Sequence, residues 1–307
     1  MKKIIMFFML VLFSNFVWAD YSPQTGIPVL RQENGDLVCV PQGDFDIDGD
    51  SIYHIYDFRR EGVSESVINM QFERALRLLL RDYSSYLNHG SRSLGVRWGL
   101  TDSYDGSGAL IFDSSQDYAT ITNTNSLGFD GSKIYAWSFW VLPTAGGRVQ
   151  KLISKEVAGV QGYEIRLDED NRIRFVNPVG WGSYTSSGNL EINNWNSVLV
   201  SYSNGLVRIY INGIEQDLVS SGSLSFISDF SSNVGLSVQG DEYFSGYIDN
   251  LKIYNKPLGV DKIGIFTQGM NDRLSGDELR GGCYTCAVTP SDDDGNGLTR
   301  ISNSLCF

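Results

Sequence analysis

The stretch from Asn194 to Gln216, NWNSVLVSYSNGLVRIYINGIEQ, constrains the fold of this 307-residue chain more than any other. It contains two Asn-Gly pairs, at 204–205 and 212–213, and each lies between runs that alternate apolar and polar residues. Asn-Gly is the preferred loop of a two-residue type I′ hairpin, because both residues must adopt positive φ. The sequence therefore predicts two successive tight hairpins in an antiparallel sheet.

The first of these turns also sets the register of its hairpin. With residues 204 and 205 as the loop, six apolar side chains fall on one face in three cross-strand pairs: Tyr202 with Val207, Val200 with Ile209, and Val198 with Ile211. The other face keeps Ser201, Arg208 and Tyr210. A slip by one residue would move the whole apolar set into water, so we expect this register and a core-facing inner side. A further hairpin is predicted across the acidic turn 169–171, with Leu167 opposite Ile173 and Ile165 opposite Phe175.

Six ordered segments carry a family resemblance: GALIFDSSQDYATI (108–121), YAWSFWVLP (135–143), LISKE (152–156), GYEIRLDEDNRIRF (162–175), NNWNSVLVSYSNGLVRIYINGIEQ (193–216) and FSGYIDNLKIYNKPL (244–258). Their succession resembles the laminin G-like, concanavalin A-like jelly roll of secreted multidomain proteins. The resemblance implies two curved sheets packed together, as an all-β chain needs to bury its sheet faces. It also implies a domain that binds glycans, proteins or lipids, often with calcium, and that is mostly not an enzyme.

The two ends of the chain do not fit this jelly roll. Residues 36–40 (DLVCV) and 51–58 (SIYHIYDF) are predicted strands, and residues 279–307 supply two more around an acidic glycine turn. These flanks resemble the early and late strands of immunoglobulin-like repeats of extracellular proteins. We therefore predict an all-β fold in which a concanavalin A-like jelly roll is inserted in a small immunoglobulin-like β-sandwich. The predicted divisions are a signal peptide (1–19), the first part of the small domain (20–64), the jelly roll (65–266) and the second part of the small domain (267–307).

All four cysteines lie in these flanks: Cys39, Cys283, Cys286 and Cys306. In an exported chain an even number indicates disulfides, and four cysteines allow three connectivities. The Cys283-x-x-Cys286 spacing would also suit a redox or zinc motif, but neither a βαβ context nor two further clustered ligands is visible. The immunoglobulin-like resemblance implies a Cys39–Cys286 bond, which leaves Cys283 to pair with Cys306.

Residues 1–19 have the features of a signal peptide, with Lys2 and Lys3 before an apolar run and Val17-Trp18-Ala19 as a cleavage site. Loss of the two lysines takes the net charge from −12 to −14. That charge argues against nucleic acid or an anionic membrane as the partner, because both need a basic surface. No later run is long and apolar enough to span a bilayer. We expect a secreted or cell-surface protein that binds a glycan or an extracellular protein.

Three aspartates are candidates for a structural calcium site. A bulge at Asp249-Asn250 would let the apolar residues on both sides of it face the core, although their strand parity differs. The family resemblance implies that Asp249, in the GxID motif, binds Ca²⁺, with Asp113 and Asp117 as weaker additional candidates. Alternatively, Asp249 only accepts hydrogen bonds from backbone donors in the bulge.

A second acidic run, GDFDIDGD (43–50), copies the start of an EF-hand loop with Asp44, Asp46 and Asp48. The twelfth position of that loop is Ile55, where a bidentate Glu is required. We therefore interpret the run as a solvated turn and reject the EF-hand motif.

A catalytic interpretation fails on the residues present. Glucanases of this fold carry Glu-x-Asp-x-x-Glu on an inner strand, and retaining hydrolysis needs two carboxylates close together. The nearest string here is Glu164-Ile-Arg-Leu-Asp168-Glu169, in which Arg166 replaces the central Asp and Glu169 has reached the turn. We predict that the protein is not an enzyme.

The predicted ligand site is the run NPVGWGSYTSSGN (177–189), interpreted as a loop between two strands. Trp181 and Tyr184 would offer aromatic faces to a sugar ring. Neighbouring polar side chains would hydrogen-bond its edge: Ser183, Ser186 and Asn189. The alternative is that Trp181 folds back and plugs the open end of the sandwich. Two classes of function therefore stay open, a glycan-binding module and a protein-binding adhesion or structural module.

Overall fold

The computed structural model describes residues 21–73, 78–99, 103–128, 134–157, 161–177, 182–224, 233–237 and 241–307. The predicted signal peptide and Trp181 lie outside the described residues. The fold is all-β, with 49% of the chain in strands and 5% in helices. Among the described residues, no helix combines the length and the apolar character that crossing a membrane would need.

The first strands in chain order are β1 (Val29–Glu33), β2 (Asp36–Val40), β3 (Tyr53–Arg60), β4 (Val63–Ser64), β5 (Ile68–Met70), β6 (Leu79–Leu80), β7 (Gly90–Arg92), β8 (Arg97–Gly99), β9 (Ala109–Phe112) and β10 (Ala119–Ile121). The next are β11 (Ile134–Pro143), β12 (Gln150–Val157), β13 (Gln161–Leu167), β14 (Arg172–Asn177), β15 (Gly182–Asn189), β16 (Asn196–Ser203), β17 (Leu206–Ile211), β18 (Ile214–Glu215), β19 (Leu218–Ser221), β20 (Val234–Leu236) and β21 (Gly246–Tyr254). Helix α1 (Val260–Thr267) then precedes β22 (Arg273–Leu274), β23 (Cys283–Ser291), β24 (Arg300–Ile301) and β25 (Leu305–Cys306). Two 3₁₀ turns cover Asn125–Leu127 and Gly276–Glu278.

Two large antiparallel sheets form the jelly roll. The nine-stranded sheet has the order β19-β15-β14-β13-β12-β20-β10-β7-β6. The eight-stranded sheet has the order β18-β17-β16-β11-β21-β9-β8, and β5 also pairs with β21. One apolar cluster lies between them, and its largest fully buried members are aromatic: Trp137, Tyr202, Phe112, Phe139, Phe175 and Phe244.

The hairpin of β16 and β17 has the predicted register, and all six side chains of its predicted inner face are buried. Asn204 and Gly205 have φ values of 49° and 86°, and Asn212 and Gly213 have values of 50° and 80°. Both Asn-Gly pairs therefore form the tight turns that the sequence predicts. The hairpin of β13 and β14 also has its predicted pairing. On the outer side of β17, helix α1 covers Tyr210 through Ile263.

The bulge predicted at 249–250 is present in β21. Ser138 lies opposite Lys252 but Trp140 lies opposite Asp249, so β21 contains one more residue than β11 over this interval. Asn250 takes up the irregularity with a φ of 51°. Three apolar residues of mixed parity thereby all reach the core: Ile248, Leu251 and Ile253.

One local prediction is wrong. The run 182–189, interpreted as a loop, is strand β15, with β14 on one side and β19 on the other. A Cβ on Gly182 would lie 2.4 Å from the Ser223 carbonyl oxygen, so this glycine allows close approach of a neighbouring chain segment within a sheet.

The two ends of the chain come together in a pair of smaller sheets, the flanking unit. One sheet has the order β1-β2-β22, and the other has β24-β23-β3-β4 with β25 also paired to β23. A small apolar cluster joins them around the Cys39–Cys286 disulfide, and a second disulfide links Cys283 to Cys306. Both pairings are those that the resemblance implied. The immunoglobulin-like assignment and the domain boundaries stay predictions.

Candidate functional site

Three acidic side chains, Glu73, Asp105 and Asp249, gather on the outer side of the eight-stranded sheet. Asp249 lies in the β21 bulge opposite Trp140, and the ring of Tyr104 stacks on Trp140 with 3.4 Å between centroids. This stacking holds the loop that contains Tyr104 and Asp105 over the bulge. The Tyr104 N–H donates to Asp249 Oδ2 at 3.2 Å.

The other two carboxylates of this cluster are held by short-range contacts. Asp105 Oδ1 accepts the Ser107 N–H at 3.1 Å, and Asp105 Oδ2 accepts the Asn250 Nδ2–H at 3.1 Å. Glu73 follows β5 and is buried, and its carboxylate has a hydrogen bond with the Ser107 side chain. Asn250 therefore connects the bulge to the carboxylate of the covering loop.

The electrostatics of this cluster are unfavourable without a counter-charge. Burial, followed by the negative charges of Asp105 and Glu73, raises the pKa of Asp249 well above its ordinary value. Burial, followed by the charge of Asp105, likewise raises the pKa of Glu73. Asp249 Oδ1 and Glu73 Oε2 are both buried and have no hydrogen-bond partner. Since a buried unpaired charge is strongly destabilising, the cluster needs protons or a cation at neutral pH.

The donor set of this cluster supplies part of a calcium site, from Glu73 and Asp249. Ca²⁺ prefers oxygen ligands, carboxylates above all. Two carboxylate oxygens here, Asp249 Oδ1 and Glu73 Oε2, have no hydrogen-bond partner. Glu73 and Asp249 would hold the ion with these oxygens. Asp105 does not complete a group of three with them, because one oxygen from each carboxylate does not lie within 4.8 Å of the other two, and both Asp105 oxygens accept hydrogen bonds. Hydrogen bonding to the bulge backbone alone would account for Asp249 Oδ2 and leave Oδ1 unexplained.

The other two aspartates predicted for this site lie elsewhere. Phe112 is opposite Gly246, so Asp113 follows the far end of β9, about 13 Å along the strands from Asp249. Asp117 is buried, and its Oδ2 accepts two backbone N–H groups of its own turn, at 2.8 and 3.0 Å. One ion therefore cannot be held by Asp249 together with this pair.

The predicted ligand residues do not share one surface. The structure does not describe Trp181. Tyr184 packs against the core beside Phe175, whereas its neighbour Ser183 lies on the opposite, outer face of β15. Asn189 is exposed at the end of β15, and Ser186 is buried. Alternation along a strand, which a loop would not impose, separates Tyr184 from Ser183.

A charged cluster on the outer face of the nine-stranded sheet was not identified from the sequence. Glu164 is only 5% exposed, and its carboxylate lies 3.0 Å from Lys151 Nζ and 3.3 Å from Arg166 Nη1. Arg174, opposite Arg166, donates to Ser183 Oγ at 2.9 Å. We call these five residues the outer-face cluster. The alternation of ionisable and apolar residues in β13 and β14 was the signal that could have found it.

The two carboxylates nearest to a glucanase pattern, Glu164 and Asp168, lie far apart and form other hydrogen bonds and ion pairs. Glu164 and Asp168 are separated by four residues along an extended strand, about 13 Å, whereas glycosidase carboxyl pairs lie about 5 to 9.5 Å apart. Asp168 Oδ1 accepts the N–H groups of Asp170 and Arg172, and Oδ2 accepts the Arg172 Nε–H at 2.9 Å. Asp168 therefore organises the turn between β13 and β14.

Residues 113–264 match the sequence family described as the Concanavalin A-like lectin/glucanases superfamily. This part of the chain is a concanavalin A-like domain of the laminin G type. No curated protein sequence matches the chain.

Similar solved structures agree on the fold of this concanavalin A-like domain. They include the binding domain of Paraclostridial Mosquitocidal Protein 1 (16% identity, TM-score 0.55) and the binding domain of botulinum neurotoxin serotype G (17%, 0.52). A third is the ligand binding domain of botulinum neurotoxin serotype D in complex with N-acetylneuraminic acid (18%, 0.52). Each alignment covers 67% of this chain and 51% or 52% of the neighbour, so the chain spans about half the length of these structures. At these identities the likeness concerns the fold alone.

Proposed function

We propose that this protein is an exported, non-catalytic binding module whose concanavalin A-like domain recognises a glycan or a glycosylated surface. The observation that carries the proposal is the outer-face cluster, which places a carboxylate, an ammonium group, two guanidinium groups and a hydroxyl on neighbouring strands. Arg166 is 18% exposed in its side chain and is held against Glu164, so its geometry is fixed before a ligand arrives. Such groups can hydrogen-bond the hydroxyl and carboxylate oxygens of a sugar.

The proposed contact surface extends along β15. Ser183 is buried there and accepts the hydrogen bond from Arg174, so it positions that guanidinium group. Asn189 lies exposed at the end of the strand, and Trp181 precedes the strand by one residue in the sequence. Trp181 and Asn189 stay predicted contacts, whereas we assign Tyr184 to packing. The names of the structural neighbours, which describe binding domains and in one case bound N-acetylneuraminic acid, support a binding role. The distance between Glu164 and Asp168 supports the absence of glucanase chemistry.

Calcium is part of this proposal as a structural ion. Bound by Glu73 and Asp249, it would neutralise the buried charge between the end of β5 and the β21 bulge. That site lies on the eight-stranded sheet, so the ion would support the domain and would not touch the glycan. Export is proposed from the signal-peptide features of residues 1–19 together with the two disulfides, which persist in oxidising compartments.

A protein-binding adhesion module is the second candidate function. The observation that favours it lies in the flanking unit, where large apolar side chains are exposed: Ile27, Val29, Phe45, Ile47, Leu298 and Ile301. Exposed apolar surface on a folded domain commonly marks a protein contact. This alternative predicts a partner that binds the flanking unit and does not require the outer-face cluster.

A glycan array with and without calcium tests the first proposal, using the unmutated protein, Arg174→Ala and Arg208→Ala. Arg208 is an exposed arginine on the outer side of the eight-stranded sheet and serves as the matched control. We expect Arg174→Ala to weaken glycan binding about 10-fold or more, since a charge-assisted hydrogen bond is worth about 1.5–3 kcal/mol. Arg208→Ala should bind normally, and both variants should keep the wild-type melting temperature within a few degrees.

The glycan proposal is wrong if the unmutated protein binds no glycan in either condition. It is also wrong if the two arginine variants lose binding equally. In the presence of calcium, the Asp249→Asn variant should have a lower melting temperature than the unmutated protein. If this variant still binds glycan normally well below that temperature, the ion has a structural role and takes no part in recognition.

A further inference from the structure

Two acidic loops of the flanking unit meet at one end of the β3–β23 pair. The first loop, GDFDIDGD (43–50), precedes β3, and the second, SDDDGNG (291–297), begins where β23 ends. Tyr53 pairs with Ser291, so the end of the first loop lies beside the start of the second. The two loops come from opposite ends of the chain.

The first loop already gathers three carboxylates. One oxygen from each of Asp46, Asp48 and Asp50 lies within 4.8 Å of the other two. Two oxygens bound at about 2.4 Å to one calcium ion can be at most about 4.8 Å apart, so this spacing suits ligands of a single ion. The turn is held by its own backbone, since the Asp50 N–H donates to Asp46 Oδ2 at 2.7 Å.

Asp292, from the second loop, provides an independent observation. Its side chain is 2% exposed, and its Oδ1 accepts the N–H groups of Asp294 and Gly295, each at 2.8 Å. Its Oδ2 is buried without a hydrogen-bond partner. Asp292 directly follows Ser291, which pairs with Tyr53, so it lies beside the end of the first loop.

The part of the chain that the structure describes gives this cluster no counter-charge. Among the described residues, no Lys, Arg or His forms an ion pair with the first-loop aspartates at 46, 48 and 50 or with Asp292. The Asp48 side chain instead has hydrogen-bond contacts with the side chains of Asp46 and Asp294. Like-charged groups at such distances repel one another unless a cation or a proton lies between them.

We propose that these two loops form a second calcium site, with Asp46, Asp48 and Asp50 as ligands from the first loop. Asp292, which lies outside their 4.8 Å group, is drawn in from the second loop as the last ligand when the ion binds. An EF-hand loop closes its site with a Glu at the twelfth position, which is Ile55 here. The missing ligand comes instead from the opposite end of the chain. Several carboxylates in flexible loops favour Ca²⁺ over Mg²⁺, which keeps more of its water. The ion joins the first and last segments of the flanking unit, as the Cys39–Cys286 disulfide does.

Calcium titration of the disulfide-intact protein, made metal-free beforehand, tests this inference by calorimetry. Asp292→Asn keeps an amide oxygen for the N–H groups of Asp294 and Gly295 and removes only the charge. We expect it to weaken one calcium site about 10-fold or more. Asp217→Asn, at an exposed aspartate of the jelly roll, is the matched control and should change nothing. Asp249→Asn should affect only the other site, which separates this inference from the proposed function.

Hydrogen–deuterium exchange of the unmutated protein gives a test that needs no variant. Calcium should slow exchange about 10-fold in peptides that cover 43–52 and 291–298. The inference is overturned if neither loop responds to calcium, or if Asp292→Asn binds calcium with wild-type stoichiometry and affinity. It is equally overturned if the unmutated protein binds a single calcium ion and Asp249→Asn abolishes it.

Discussion

The jelly roll and the flanking unit are both pairs of antiparallel sheets, yet they are stabilised by different means. The jelly roll contains no cysteine and encloses a large apolar cluster rich in aromatic residues. The flanking unit has a much smaller cluster, and it contains both disulfides and the two facing acidic loops. Small domains bury too little apolar surface to be stable on packing alone, and cross-links compensate. The comparison teaches that cross-links occur where packing is insufficient.

The largest effect that would test this comparison comes from removing the Cys39–Cys286 disulfide. The bond spans 247 residues of sequence, but a folded jelly roll already holds the two flanks near each other, so the loop it effectively closes is shorter. We expect Cys39→Ala/Cys286→Ala to destabilise the flanking unit by about 3–5 kcal/mol. Calorimetry combined with hydrogen exchange would locate the loss in β2, β3 and β23. Cys283→Ala/Cys306→Ala, which opens a loop of 23 residues, should cost less. Equal loss of protection in the jelly roll would show that the two units unfold together.

The reverse perturbation is a truncation in the jelly-roll core. Ile209 is fully buried in the hairpin of β16 and β17, so Ile209→Ala should destabilise the jelly roll by about 2–4 kcal/mol. Leu206→Ala in the same strand removes an exposed side chain and should change stability by less than about 0.5 kcal/mol. Chemical denaturation followed by tryptophan fluorescence measures both, and hydrogen exchange reports on the flanking unit, which contains no tryptophan. An equal loss of stability in the flanking unit would contradict the proposal that the two units are stabilised separately.

A smaller effect concerns pH and calcium at the carboxylate cluster. Because the folded pKa values of Glu73 and Asp249 are raised, the unfolded chain binds fewer protons there. Without calcium, their contribution to stability is therefore largest at low pH and is lost as pH rises through the folded values. We expect the stability of the metal-free protein to fall as pH rises from 5 to 6.5, and saturating calcium to remove that fall.

Two neighbouring groups define the controls for this pH experiment. Burial raises the pKa of Asp57 to about 6, which gives a slope of the same sign. Burial lowers the pKa of Lys252 to about 7, which gives the opposite slope, but only above the chosen pH window. Asp249→Asn should flatten the curve, whereas Asp57 remains in that variant. A curve that is identical in Asp249→Asn and in the unmutated protein would assign the slope to Asp57 and remove Asp249 from the explanation.

Sequence reasoning succeeded where the signal is local. The Asn-Gly turns fix φ through two adjacent residues, and the mixed parity of Ile248 and Leu251 requires a bulge between them. It failed where the cause is distant in sequence. In the sequence, Gly182 suggests a loop, but in the structure it allows close approach of the Ser223 carbonyl group. Asp292 likewise suggests an ordinary turn, and only the fold shows that this turn lies beside the loop that contains Asp46. Pairing of distant segments decides these cases, and spacing along one strand cannot show it.

The smallest expected effect compares the same backbone strain in both units. Gly205 in the jelly roll and Gly35 in the flanking unit each follow an asparagine of positive φ in a two-residue turn, with φ values of 86° and 98°. No atom lies within 4 Å of a Cβ added at either position, so an alanine would meet only the strain of left-handed backbone. Each Gly→Ala substitution should therefore cost about 1 kcal/mol.

The difference between the two variants should appear in the melting temperatures. A loss of about 1 kcal/mol shifts the melting temperature of a 60–100-residue domain by about 4–8 °C, and that of a 150–250-residue domain by only about 2–4 °C. If the units unfold separately, Gly35→Ala should lower the transition of the flanking unit by about twice as much as Gly205→Ala lowers that of the jelly roll. Scanning calorimetry with the disulfides intact measures both shifts. Equal shifts of a single transition would mean that the disulfides and the interface between the units make one cooperative structure of them.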